Sequence, residues 1–567
     1  MPGSYGTNLR APKVNVKDFA MIPRGDVPRS SFRMQNNHKT TMSASNLLPI
    51  YLQEVLPGDS WKVTMSAFVR MATPIFPLMD NIDLETFFFF VPNRLVWINW
   101  QKFMGEQENP ADSISFTIPQ IVSPVGGFAR QSLFDWYGLP CTGQTGAGNT
   151  ISISALPLRA YQICYNQWFK DENLDNAATY GSTSSTGIAA MDNGPDPVAQ
   201  YLVRNIRKRH DYFTSCLPWT QKGGVAVTLP LAGSANVKTS ASELVTGSTV
   251  PSIQWRDITG TTQVPNVAGA PFTRGSANGK MSWSNTAVAG TIQPDIYPSN
   301  LFADLSTATA TTINALRQSF QIQRLLEKEA RGGTRYQELC MVHFGVMPQD
   351  HRVQKPEYLG GGKTPVTITP VPQTTGTGAT GTTAPLGTLS AAGTLVSTSH
   401  GFRQSFTEHG HIIGLCAFRQ TMAYQQGIRR LWKRNTKYDF YFPVFQSLGE
   451  QSVFNYEIFS DGSANDALTF GFQAHWDEYR YHPSFTSSFF NSTGPTPLDA
   501  WHLVEKFGAL PTLASAFIAD STFTQVQRAI AAGASGANQQ FLCDFFFDQI
   551  VARPMPTHSV PGLIDHF

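Results

Sequence analysis

Gly360-Gly361-Gly362-Lys363-Thr364 is the first place to look for phosphate chemistry, since a glycine-rich loop ahead of a helix presents backbone amides to a phosphate. The pattern fails twice: Glu357 stands where the first glycine belongs, and Pro365 follows where the helix would begin. The run reads as a glycine turn. Glu408-His409-Gly410-His411 would aim two imidazoles the same way from an extended segment, a spacing zinc can use. No further ligands accompany them at helical spacing, and no HExxH occurs, so they read as histidines beside a turn. Asp461-Gly462-Ser463-Ala464-Asn465 resembles the start of a calcium loop, but Asp466 and Phe472 occupy the positions that need glycine and glutamate. Asn491-Ser492-Thr493 is a glycosylation sequon in a chain whose start has no apolar h-region, so no export is expected. There is no GxSxG and no CxxC, and Cys164, Cys340 and Cys416 sit in apolar segments as small hydrophobes. No catalytic residue, metal ligand or cofactor is assigned.

The cations carry more. Arg429, Arg430, Lys433, Arg434 and Lys437 flank Trp432 and Tyr438, with Tyr424 just before. Cations for phosphates interleaved with rings for bases suit single-stranded nucleic acid; a subunit-contacting face around one buried Trp is the competing reading. Arg204, Arg207, Lys208 and Arg209 form a weaker run, which reads equally as a solvated helix face. In the first 40 residues Arg10, Lys13, Lys17, Arg24, Arg29, Arg33 and Lys39 face only Asp18 and Asp26, a net of +5. Rich in Pro, Asn and Ser and without periodicity, residues 1–45 read as a basic extended arm.

The elements that must position these groups are mainly strands. Trp61, Val63, Met65, Ala67 and Val69 alternate with polar residues, a period of two. Ile82–Val91 contains four consecutive Phe and reads as a strand buried on both faces, followed by a short helix from Pro92. Helical stretches are expected over about Leu158–Phe169, Pro197–Arg209 and Thr312–Arg331, the last closed by Gly332-Gly333. Strands return at His411–Arg419, Tyr438–Val444, Val453–Phe459, Leu468–Trp476 and Phe541–Val551. Residues 231–300 hold seven charges, and residues 364–400 hold none. Such long neutral stretches read as elaborated insertions between strands of one scaffold. The sum is a β-sandwich or jelly roll with grown loops.

Composition bounds the rest. The chain has 567 residues, with 41% hydrophobic and 12% aromatic, enough for a real core. Lys+Arg number 42 and Asp+Glu 40, only 14% of the chain. An average soluble protein carries about 25%. Much of the surface is therefore neutral, or covered by something. The net charge of +2 argues against a uniformly basic nucleic-acid binder, and no apolar run is long enough for a membrane span.

Several strings, in this order, resemble one known family. They are Phe90-Val-Pro-Asn-Arg-Leu-Val-Trp97 with Trp100 and Gly105-Glu106, and Arg331-Gly-Gly-Thr-Arg-Tyr336 with Glu338 and Phe344-Gly-Val346. Pro356-Glu-Tyr-Leu-Gly-Gly361, Tyr424-Gln-Gln-Gly427, Asp439-Phe-Tyr441 with Pro443, and Leu448-Gly-Glu-Gln451 complete the set. The chain is similar, over nearly its whole length, to the major capsid proteins of gokushoviruses, small icosahedral single-stranded DNA phages of the microvirus family. The resemblance implies an eight-stranded antiparallel jelly roll of the viral capsid type, with long loop insertions and a few helices. It implies self-assembly of about 60 copies into a T=1 shell around circular single-stranded DNA. It also implies minor virion proteins as partners (a pilot protein and a small DNA-binding protein), a host surface receptor, assembly in the host bacterial cytoplasm, and no enzyme activity.

On this reading residues 46–567 form the jelly-roll domain. Residues 224–300 are an outward protrusion at the threefold axes, for which Leu217-Pro-Trp-Thr-Gln-Lys-Gly223 resembles the stem, and 360–402 are a neutral Gly/Thr/Pro-rich loop. Arg10, Lys13, Lys17, Arg24, Arg29, Arg33, Arg429, Arg430, Trp432, Lys433, Arg434 and Lys437 are the expected DNA-lining residues of the inner surface. The rival from another class is a glycan-binding or glycoside-cleaving β-sandwich of the cell surface, which would require export and a carboxylate pair.

Overall fold

The computed structural model describes residues 28–107, 109–113, 115–181, 192–222, 354–376, 386–531 and 539–558, with short pieces between 236 and 343. The chain divides into two units, residues 1–220 with 333–567, and residues 221–332.

The first unit is built on strands β1 (Ser30–Met42), β2 (Asn46–Val55), β3 (Ser60–Met71), β4 (Ile82–Pro92), β5 (Arg204–Asn205), β6 (Glu357–Pro365), β7 (Thr367–Pro372), β8 (Leu389–Ser405), β9 (Gly410–Gln420), β10 (Glu450–Phe454), β11 (Thr469–Ala474) and β12 (Phe541–Arg553). Two antiparallel five-stranded sheets result, ordered β1-β12-β3-β8-β7 and β6-β4-β9-β2-β5. Numbering only the eight long strands in chain order gives 1-8-3-6 in one sheet and 2-7-4-5 in the other. Neighbours within a sheet are thus mostly far apart in sequence, and every successive pair of these strands except 4 and 5 jumps between sheets, as in a jelly roll. The short β5 and β7 extend one edge each.

The expected alternation in β3 is realised: Trp61, Val63, Met65, Ala67, Val69 and Met71 are buried, while Lys62, Phe68 and Arg70 are exposed. These side chains meet Phe88, Phe90, Phe418, Phe541, Phe545 and Phe547 in the core between the sheets. Phe418 stacks on Phe541 with ring centroids 3.8 Å apart. The Phe run of β4 is buried on both faces because its sheet is covered on both. Phe88 and Phe90 enter the inter-sheet core, and Phe89 enters a second core built with Leu158, Tyr161 and Ile163 of helix α1 (Leu156–Cys164). The opposite sheet has no such cover among the described residues.

Several elements differ from expectation. The supposed arm is a strand from Ser30 onward, paired along its length with β12. The 360–402 segment is mostly strand, taking in most of β6, all of β7 and β8 up to Phe402. Its glycines serve close approach: a Cβ on Gly361 would lie 2.0 Å from the Thr86 carbonyl oxygen, and one on Gly362 would strike the His400 ring at 2.3 Å. The 197–209 stretch is not a helix; it holds one 3-10 turn (Val198–Gln200) and β5. The 438–444 stretch is not a strand either. Thr436 and Asp439 form a capping box around the turn Lys437–Asp439, and Pro443 opens another turn. Beyond Phe454 the expected strand becomes a single helical turn, Asn455–Ile458.

In the second unit, Asn236–Thr239 pairs with Leu301–Asp304, Trp255–Asp257 with Ile296–Pro298, and Phe272–Arg274 with Met281–Trp283. Helix α2 spans Ile313–Arg331, close to the expected Thr312–Arg331. Most of the expected protrusion at 224–300 lies outside the described residues.

Candidate nucleic-acid interface

After β9 the chain leaves the sandwich and lays 3-10 turns over a third apolar cluster that includes Tyr212, Phe213, Tyr424, Ile458, Phe470 and Phe517. Gly427 lets the backbone touch its neighbour; a Cβ there would stand 1.9 Å from the Glu457 carbonyl oxygen. The turn Arg430–Lys433 follows and presents the expected cation cluster.

The cluster splits in two. Arg430 is only 14% exposed, donates to Glu457 Oε1 at 2.7 Å, and also reaches the Ser452 carbonyl. Arg434 is 11% exposed, lies 3.5 Å from Glu478, and stacks over the Tyr479 ring at 4.3 Å. Glu457 also accepts from the Tyr212 hydroxyl at 3.2 Å, and Glu478 from Gln451 at 2.6 Å. Burial pushes the Glu457 carboxyl up, with Arg430 opposing it. Arg430 and Arg434, expected at the DNA, are thus already paired within the fold.

Lys433, Lys437 and the half-buried Arg429 have no carboxylate partner among the described residues. Trp432 is 76% exposed and Tyr438 71% on the single subunit, so neither ring is buried within its own chain. Lys433 sits 5.5 Å from the Tyr456 ring centre and Lys437 5.8 Å from that of Phe442. The sequence reading missed the exposed rings of the same region: Phe440, Tyr441, Tyr479 and Phe485. Their spacing follows no strand or helix period. A cleft of about 420 Å³ opens beside them, lined by Tyr212, Arg430, Arg434, Tyr481 and Phe485 among others. Cations over rings beside free aromatic faces can hold phosphates and stack bases.

The other expected residues fare differently. Arg10, Lys13, Lys17 and Arg24 lie outside the described residues. Arg29 donates to the Gly58 carbonyl at 2.7 Å and to Ser60 Oγ at 3.0 Å. Arg33 forks onto Asp548 at 2.9 and 2.8 Å, and this hydrogen bonding holds the Asp548 carboxyl below its usual range. The cations of the 204–209 run are largely engaged within the fold. Arg207 meets Asp175 at 2.7 Å, Lys208 meets Glu505 at 2.7 Å, and Arg209 bridges Asp83 and Glu85. Arg204 donates to Gln162 and lies over Tyr165. His409 packs on Trp100, while His411 is buried and driven down to about 4 by desolvation. Among the described residues no three groups gather as metal ligands, and the five described cysteines are buried and free.

Comparison with known proteins agrees with the fold. The family described as capsid protein (F protein) matches residues 20–563. Capsid protein VP1 of Bdellovibrio phage phiMH2K is 39% identical over 558 residues, 98% of this chain and 99% of that one. Capsid protein VP1 of Chlamydia phage 1 is 36% identical over 606 residues, 98% and 99% of the two chains. Capsid protein VP1 of Spiroplasma virus 4 is 36% identical over 560 residues, 97% and 98%. All three are gokushovirus proteins, as the resemblance implied. An antiparallel sandwich matched nearly end to end by capsid proteins leaves one assignment: the chain belongs to the phage capsid protein (F protein) family and is a structural component of a virion.

Proposed function

We propose that this capsid protein closes about 60 copies into a T=1 icosahedral shell around circular single-stranded DNA. The exposed cations and rings of Arg429–Tyr438, together with the N-terminal residues Arg10, Lys13, Lys17 and Arg24, face that DNA. The observation that carries this reading is the pairing of Lys433 and Lys437 with rings beside the uncovered Trp432 and Tyr438, on a chain with few charges to place. Residues 224–300 form the outward protrusion that meets the host surface. A pilot protein and a small DNA-binding protein join the particle, which assembles in the host bacterial cytoplasm.

Changing Arg429, Lys433 and Lys437 together to Gln tests the DNA-facing assignment. The variant is expected to form particles with less packaged nucleic acid, read as a lower ratio of absorbance at 260 to 280 nm. Particles with an unchanged ratio would refute the assignment.

A further inference from the structure

The outer face of the sheet β1-β12-β3-β8 carries a second, unassigned set of cations. The strand register places Arg33, Ile550, Lys62 and Arg403 in one row across four strands. Lys62 and Arg403 are directly opposite each other on this face, an arrangement that repels. Arg29 lies against the next row on the same face, beside Ser60 and Ala552. Toward the other end of the strands come Lys39, Phe68 and Arg70, with Arg70 5.4 Å from the Phe68 ring centre. The only carboxylates that β1, β3, β8 and β12 send to this face are Asp544 and Asp548, held by Lys39 and Arg33. Arg29, Arg70 and Arg403 therefore remain without a carboxylate partner among the described residues, and Lys62 has only the through-space attraction of Asp548, which Arg33 already holds. An open hollow of about 720 Å³ lies over the row, lined by Lys62, Arg403, Ser405 and Ile550 among others. Phe68, Phe546 and Ile550 are exposed between the cations.

We propose that this sheet face binds the sugar–phosphate backbone of a single-stranded polynucleotide, with Lys62, Arg403 and Arg29 on phosphates and Phe68 and Phe546 as stacking surfaces. This rests on the shell reading and adds a site separate in sequence from Arg429–Tyr438. Charge favours a polyanion: Arg29, Arg33, Lys39, Lys62, Arg70 and Arg403 share this face with only Asp544 and Asp548, and a second copy of the same face would meet it with like charge. Two cations held side by side against their repulsion are relieved by a phosphate between them. Rings interleaved with cations make the face indifferent to base sequence.

Binding of fluorescent oligo(dT) by purified full-length subunits, followed across salt concentration, tests the site. Lys62→Gln/Arg403→Gln is expected to weaken binding and to make the plot of log K against log salt shallower by about 1.4, at about 0.7 per phosphate contact on a single strand. Lys62→Arg/Arg403→Lys should keep both affinity and slope, which separates lost charge from a damaged fold. An unchanged slope in the Gln variant overturns the proposal. So does a Gln variant that binds oligonucleotide normally and no longer forms particles, since the row would then be a subunit contact. Wild-type chains that form no closed particle would instead strike the shell reading and leave the oligonucleotide result standing.

Discussion

Glu457 holds Arg430 at 2.7 Å inside a largely covered cleft, with Tyr212 donating to its other oxygen. Glu457→Ala leaves the guanidinium buried without its carboxylate, so unassembled subunits should lose about 3 kcal/mol in urea unfolding. Asp520 is buried, accepts from Ser45 and Thr522, and is pushed up by desolvation to about 6. An acid with a raised folded pKa binds its proton more tightly in the fold than in the unfolded chain. Its contribution is thus fully present at the acid end and falls as pH rises from about 4 to about 6. Asp520→Asn should remove that fall: its Tm relative to the parent rises across this window, and a constant difference would rule the account out. Individual charge roles were the least legible feature in the sequence. Arg209 meets Asp83 across 126 positions and Lys208 meets Glu505 across 297, so a basic run on paper dissolves into buried pairs in space.

Elements were legible where burial imposes a period. The one-sided burial of β3 and the two-sided burial of β4 left clear marks, alternation in the first and a Phe run in the second. β1 was missed because its outer face is polar and its partner β12 lies 500 positions away, and β6 because glycines there stand for close packing. Gly361→Ala should prise β6 from β4 and cost folded yield, while Gly105→Ala, at a left-handed position with open space around it, should cost only about 1 kcal/mol of strain. Thermal melts of the two variants compare them directly. Phe541→Ala, which removes the ring stacked on Phe418 in the inter-sheet core, should cost about 3–5 kcal/mol.

For the whole molecule, the deficit of charge now has a physical distribution. Many of the few cations are paired inside the fold, as Arg159 with Asp196, Arg430 with Glu457 and the 207–209 run with its acids show. Among the described residues, two groups of cations without a carboxylate contact stand out, on the turns around Trp432 and on the outer face of β3 and β8. Deleting residues 231–300 should spare shell formation and change adsorption to the host, since the eight long strands lie outside that segment. Loss of all assembly would show that the segment belongs to the shell itself. The central claim is that these subunits close around DNA and turn their free cations toward it. Cryo-electron microscopy of purified particles tests it most directly. The account predicts closed shells of about 60 subunits, with Lys433 and Trp432 on the inner surface against nucleic-acid density. Open or irregular aggregates, or closed shells with that segment ordered on the outside, would contradict it.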